Sequence, residues 1–194
     1  NDKGKISYAE YVLRPMKTHV ICDLYLTYDV GSTKFNAIDQ YEIYHQFDLP
    51  ANALVTDSWL WVDNVIMKAK ILERSEAINI YEGIVNRKRD PSLLLKNTAV
   101  SYSLNIYPVK NNSSRRIKLR FEIPIKQEIN ERTFSVPTSL IIQSSTIPSV
   151  VFKILDEFNY DISTSEDIPL LLTNDQDLGM IYKVTKKTEA NEIT

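Results

Sequence analysis

Glycine is scarce in this chain, with four in 194 residues, and no two glycines lie within six residues of each other. That spacing excludes a G-x-G-x-x-G or P-loop phosphate cradle and the G-x-S-x-G nucleophile elbow. Cysteine is scarcer still. Cys22 stands alone, so there is no internal disulfide and no C-x-x-C pair. No apolar run approaches the ~18 residues that a membrane-spanning helix needs. A net charge of -2 exerts no overall pull toward nucleic acid or anionic lipid. No nucleophile and base are paired by pattern, so nothing supports a hydrolase. The chain opens on Asn1, with neither an initiator Met nor a signal-peptide pattern. It is therefore read as a piece of a longer protein, and a membrane would be reached only through segments outside it.

What is present points to a β-rich fold. Apolar residues make up 43% and charged residues 25%, ordinary for a globular protein, and the eleven tyrosines suit strands. The clearest strand is residues 117–123. Ile117, Leu119, Phe121 and Ile123 share one face, and Arg116, Lys118, Arg120 and Glu122 share the other. This is the pattern of a half-buried antiparallel strand. Val20, Cys22, Leu24 and Leu26 alternate likewise, as do Tyr41, Ile43, His45 and Phe47, and Val100, Tyr102, Leu104 and Ile106. Residues 53–62 put Trp59 and Trp61 on one face. Asp63-Asn64 is a two-residue turn into a neighbouring strand at 65–72. Residues 109–115 form a turn, with Asn111 and Asn112 each opening an N-x-S sequon. Strands are also expected at 133–143 and 148–155.

One amphipathic helix is expected at about 75–89. Ala77, Ile80, Tyr81 and Ile84 make a single apolar stripe at i, i+3, i+4 and i+7. Ser75 is its N-cap and Pro91 its stop. Arg87, Lys88 and Arg89 fall in its last turn, where the helix dipole favours cations, which accounts for the triplet without a binding site.

No metal or cofactor site is expected. His19 and Cys22 of a strand point to opposite faces. Counting a calcium loop from Asp175 puts Lys186 where a bidentate Glu is required. Asp161, Ser163 and Ser165 have a D-x-S-x-S spacing but do not follow directly on a buried strand. The best surface candidate is the face of Arg116, Lys118 and Arg120. Three like charges on one strand face repel one another and gain from an acidic partner. That partner is either another protein or the segment 156–177, which holds seven acids and no Lys or Arg. The plainer reading is a solvated strand face. No aromatic residues interleave with these charges, as single-stranded nucleic-acid binding would want.

Three stretches in order carry a resemblance: "FDLPANALVTDSWLWVDN", "AKILERSEAINIYEGIV" and "YSLNIYPVKNNSSRRIKLRFEIPI". Together they resemble the VIT domain, the vault protein and inter-alpha-trypsin inhibitor heavy chain domain, over residues 18–127. The matching features are Phe47 to Pro50, the helix with Ala77 and Tyr81-Glu82, and Tyr107-Pro108. "NRKRDPSLL" after the helix departs from the animal members and looks like a bacterial branch found in exosortase-associated membrane proteins. The resemblance implies a mainly β, antiparallel sandwich-like fold with the helix packed on the sheet. It implies no catalysis and no cofactor, but a structural or protein–protein interaction module. Residues 1–17 are then a lead-in, and 128–194 a β extension or small second β unit. The localisation implied is membrane-associated or extracytoplasmic, as part of the longer protein. The alternative is a β-sandwich that binds a carbohydrate or peptide on exposed tyrosines and Trp59 or Trp61.

Overall fold

The structure, a computed structural model, describes residues 5–31, 40–73, 92–144, 148–159, 161–166 and 168–186. The helix expected at 75–89, with its stripe Ala77, Ile80, Tyr81 and Ile84, lies outside the described residues. In chain order the strands are β1 (Lys5–Pro15), β2 (His19–Val30), β3 (Gln40–Asp48), β4 (Leu54–Val62), β5 (Val65–Lys68), β6 (Lys70–Glu73) and β7 (Ser92–Lys96). They continue as β8 (Ser101–Lys110), β9 (Ser113–Pro124), β10 (Lys126–Gln127), β11 (Arg132–Thr133), β12 (Val150–Ile154), β13 (Leu171–Asp175) and β14 (Gly179–Lys186).

Two layers account for most of them. An eight-stranded sheet runs β13-β14-β12-β1-β2-β9-β4-β5, and a four-stranded sheet runs β3-β8-β7-β6. Strands β10 and β11 form a separate small ladder. The mainly β, sandwich-like architecture expected from the alternation is what the chain adopts. Most pairs are antiparallel, but β1 with β12 and β6 with β7 run parallel.

The core lies where the inner faces of the two layers meet. Leu24 and Leu26 of β2, Leu119 and Phe121 of β9 and Leu60 of β4 are buried with Phe47, Leu94, Tyr102, Leu104 and Ile106 of the smaller sheet. Each is an apolar residue at an alternate position, so burial of one face drives the assembly. The Phe47 ring lies 5.9 Å from Tyr102 and 6.4 Å from Phe121. A bulge at Thr56 resets the phase of β4, so that Val55 and then Ser58 and Leu60 face inward and the tryptophans outward. Both residues of the Asp63-Asn64 turn have positive φ, 48° and 66°, as a tight hairpin of this length requires.

Two stretches depart from expectation. Residues 65–72 are two strands, because the chain leaves β4's side after Lys68 and enters the smaller sheet at Lys70. Residues 133–143 contain only the end of β11 and a 3-10 turn, Ile141–Gln143. There Leu140 and Ile141 are buried in the main core, so the apolar residues serve as a cap rather than as a strand. Residues 5–15, ahead of the resemblance, form β1 in the interior of the large sheet, and β12 to β14 continue that sheet beyond it.

Candidate interaction surface

The outer face of the eight-stranded sheet, opposite the core, carries an ordered array of side chains. Cross-strand register sets it in rows. One row runs Ile66, Trp61, Arg116, Thr27 and Tyr8 across β5, β4, β9, β2 and β1. The next runs Lys68, Trp59, Lys118, Tyr25 and Glu10, and a third runs Asp57, Arg120, Asp23 and Val12. Cations therefore alternate with aromatics across the sheet, although not along β9.

The register makes close stacking direct. The Lys118 ammonium sits 4.2 Å from the Trp59 ring and 5.5 Å from Tyr25. The Arg116 guanidinium sits 4.7 Å from Trp61 and 5.6 Å from Tyr25. The Lys68 ammonium, on β5, lies 5.6 Å from the Trp59 ring. Contacts of this kind contribute about 0.5–1 kcal/mol each when exposed and more when desolvated. Trp59 donates its indole N–H to Asp57 at 2.7 Å, which fixes the ring.

Asp23 is the hub of the third row. Its carboxylate accepts two hydrogen bonds from Arg120, at 2.6 and 2.8 Å, and pairs with Lys118 at 3.2 Å and Arg14 at 3.3 Å. Burial raises the Asp23 pKa, but the Arg120 hydrogen bond and the Lys118 and Arg120 charges outweigh it and hold the group below its ordinary value. Burial likewise lowers the Lys118 pKa, and Asp23 restores only part of it. The asymmetry has a simple cause: one carboxylate collects three cations, whereas Lys118 shares Asp23 with two arginines and feels the like charge of Arg120.

The structure therefore separates the three residues of the expected face. Lys118 is buried at 4% exposure, Arg120 is half-buried and committed to Asp23, and Arg116 is exposed. Two acids of the 156–177 segment pair elsewhere. Glu166 pairs with Lys186 at 2.7 Å, and Asp175 with Lys153 at 2.9 Å. Lys153 also reaches Glu10 of β1 at 3.1 Å, which ties the β13–β14 hairpin to the sheet interior. Sequence reasoning missed Asp23 as a counter-ion. The available signal was an acid on the outward face of β2, opposite Arg120 once β2 and β9 are paired. Cys22 faces the core, and burial pushes its thiol well above the usual range, so a thiolate is not available for chemistry. Among the described residues no three His, Cys, Asp or Glu side chains gather where they would hold a metal.

The model of the vault protein inter-alpha-trypsin domain matches residues 16–121. The chain belongs to the VIT domain family. The matched span begins at the end of β1 and closes within β9, so it includes Asp23, Trp59, Trp61, Arg116, Lys118 and Arg120. No curated protein is close enough in sequence to match this VIT chain. Among solved structures it is similar to an M1 zinc metallopeptidase from Deinococcus radiodurans, at 9% identity and a TM-score of 0.47. That likeness covers 96% of this chain and 40% of the other. It is also similar to Legionella pneumophila aminopeptidase A, at 12% identity and a TM-score of 0.42, over 95% of this chain and 20% of that one. The VIT chain thus spans less than half the length of either peptidase, and a likeness this distant carries no argument about activity.

Proposed function

We propose that this VIT domain is a non-catalytic protein–protein interaction and structural module of a larger bacterial envelope or membrane protein, of the exosortase-associated branch. Membership of the VIT family supports the general reading. The departure at 86–94 supports the narrower one. Among the described residues no helix is long and apolar enough to cross a membrane.

The observation that carries the proposal is the outer sheet face around Arg116. Trp59, Trp61 and Tyr25 are half-buried there, Tyr8 is 45% exposed and Ile66 47% exposed. Tryptophan, tyrosine and arginine are the residue types that carry most binding energy in protein interfaces. Here their rotamers are already fixed by stacking and by Asp57, which lowers the entropy lost on association. The same stacking argues against the carbohydrate reading, since a sugar platform needs open ring faces and Lys118 and Arg116 already lie over Trp59 and Trp61.

Photo-crosslinking in the full-length protein tests this. A photoreactive residue at position 61 or 66 should capture protein, either a neighbouring domain or a separate chain. A residue at position 44, exposed on the smaller sheet, should capture little. Equal capture at 44 and 61, or capture of glycan alone, would reject the outer face as the working surface.

A further inference from the structure

We propose that Arg116 anchors a carboxylate-reading subsite, and that its occupant is an acidic segment of a partner protein that also places an aliphatic side chain on Ile66. The proposal rests on the interaction-module reading and specifies its ligand chemistry.

The carboxylates in the rows of Lys118 and Arg120 are already committed, and Asp29 lies exposed on β2 in the row on the other side of Arg116. Asp23 serves Arg14, Lys118 and Arg120; Asp57 accepts from Trp59 and from the Ser58 amide; Glu10 pairs with Lys153 and accepts from Tyr8. Among the described residues none of them reaches Arg116. What holds this guanidinium is the pair of rings, Trp61 and Tyr25. Ring stacking leaves its planar N–H donors unspent, and those donors match a carboxylate in bidentate fashion. The arrangement is thus an aromatic-clamped cation, exposed, with its hydrogen-bonding capacity still to be used. Lys118 and Arg120 differ because their charge is consumed within the domain.

The register also sets the second contact. Ile66 lies two strands from Arg116 in the same row, with Trp61 between. Strands are ~4.8 Å apart, so the two lie about 10 Å from each other. An extended segment rises ~3.3 Å per residue and turns every second side chain to the same side, so a carboxylate and an aliphatic side chain two or four residues apart, about 7 or 13 Å, bracket that distance on one face. The exposed Ile66 is otherwise an apolar side chain facing solvent on an edge strand. An anionic lipid surface or a nucleic acid would also offer negative charge. Neither supplies a single carboxylate-aliphatic pair at this spacing, and the chain has no general positive charge to hold a polyanion.

The test uses synthetic peptides with Glu and Leu two or four residues apart, followed by tryptophan fluorescence and by NMR shifts of the Trp61 indole and the Arg116 side chain. The Glu peptide should bind about tenfold or more tightly than the same peptide with Gln, as expected for a charged hydrogen bond. Arg116→Gln should abolish that preference while the circular dichroism spectrum is unchanged. Arg116→Lys should keep only part of it, because an ammonium has no fork. Equal binding of Glu and Gln peptides, no Arg116-dependent difference at millimolar peptide, or binding of phosphatidylglycerol vesicles or oligonucleotide in place of peptide would overturn the proposal. If position 61 still captures protein while Glu and Gln peptides bind alike, the subsite fails and the interaction-module reading stands. If position 61 captures nothing, that broader reading fails first.

Discussion

Replacing Asp23 by Asn should be among the most damaging single changes on the outer sheet face. The substitution keeps the size of the side chain and removes its charge, which strands three cations. They are not equally stranded. The Arg14 and Arg120 side chains are 29% and 35% exposed and can turn toward water, so little is assigned to them. The Lys118 side chain is 5% exposed and is held under Trp59 and Tyr25, so its ammonium stays buried without a counter-ion. Breaking a buried pair from one side costs about 3–5 kcal/mol. With a urea slope on the order of 2 kcal/mol/M, the midpoint should fall by roughly 1.5–2.5 M with the slope unchanged. Lys118→Met is the informative partner variant. It keeps an unbranched side chain against Trp59 and removes the charge, while Asp23 retains Arg120 and Arg14. It should change stability by less than about 1 kcal/mol. The double variant should then be more stable than the sum of the singles implies, with a coupling of about 2 kcal/mol or more. The sign with pH follows from the same geometry. The folded Asp23 pKa is depressed, so its contribution is complete above the unfolded value of ~3.9 and is lost as pH falls through the folded value below it. Acid unfolding should flatten in Asp23→Asn. Lys118→Met costing as much as Asp23→Asn, or strictly additive singles, would refute the view that a buried charge and its counter-ion set the stability of this face.

Three further outcomes are expected. The Tyr28 hydroxyl is buried without a hydrogen-bond partner among the described residues, so Tyr28→Phe should leave thermal stability unchanged or raise it by up to ~1 kcal/mol. Asn64 sits at φ 66°, so Asn64→Gly should be tolerated while Asn64→Val should cost about 1–2 kcal/mol in denaturant unfolding. Amides of β12 should exchange with deuterium as slowly as those of β2, because β12 pairs with β1 and buries Val150 and Ile154 in the common core. Much faster exchange in β12 to β14 would make them a separate unit.

The strands that can be read from the chain are those that bury one face. Ile117 to Ile123, Val20 to Leu26 and Ile43 to Phe47 alternate because their apolar side meets the core and their polar side faces away from it, and the structure places the apolar residues inward as expected. The Asp63-Asn64 turn was legible for a local reason, since both residue types tolerate positive φ. What alternation does not carry is partnership. The parallel pairing of β1 with β12 joins residues such as Tyr11 and Phe152, which stack at 5.1 Å across most of the chain's length. Nothing local in either strand marks that pair. The apolar run at 140–142 reads as strand because burial alone does not distinguish a capping turn from an extended segment; the chain there closes on the core through Leu140 and Ile141.

The candidate surface shows the same division more sharply. Alternation along β9 places Arg116, Lys118 and Arg120 outward, and they are outward. It does not say whether an outward side chain is accessible. That depends on what the two flanking strands carry at the paired positions. Opposite Lys118 stand Trp59 on β4 and Tyr25 on β2, large rings that lie against its ammonium. Opposite Arg120 stands Asp23, 97 residues away in sequence, which draws both Arg120 and Lys118 down onto the sheet. Opposite Arg116 stand Trp61 and the small Thr27, so its flank is open on one side and its charge remains uncommitted. Three residues that are equivalent by sequence spacing are thus divided by their neighbours into a buried cation, a structural clasp and an exposed anchor. That division is why Arg116, rather than the triad, is the residue on which binding by this face should depend.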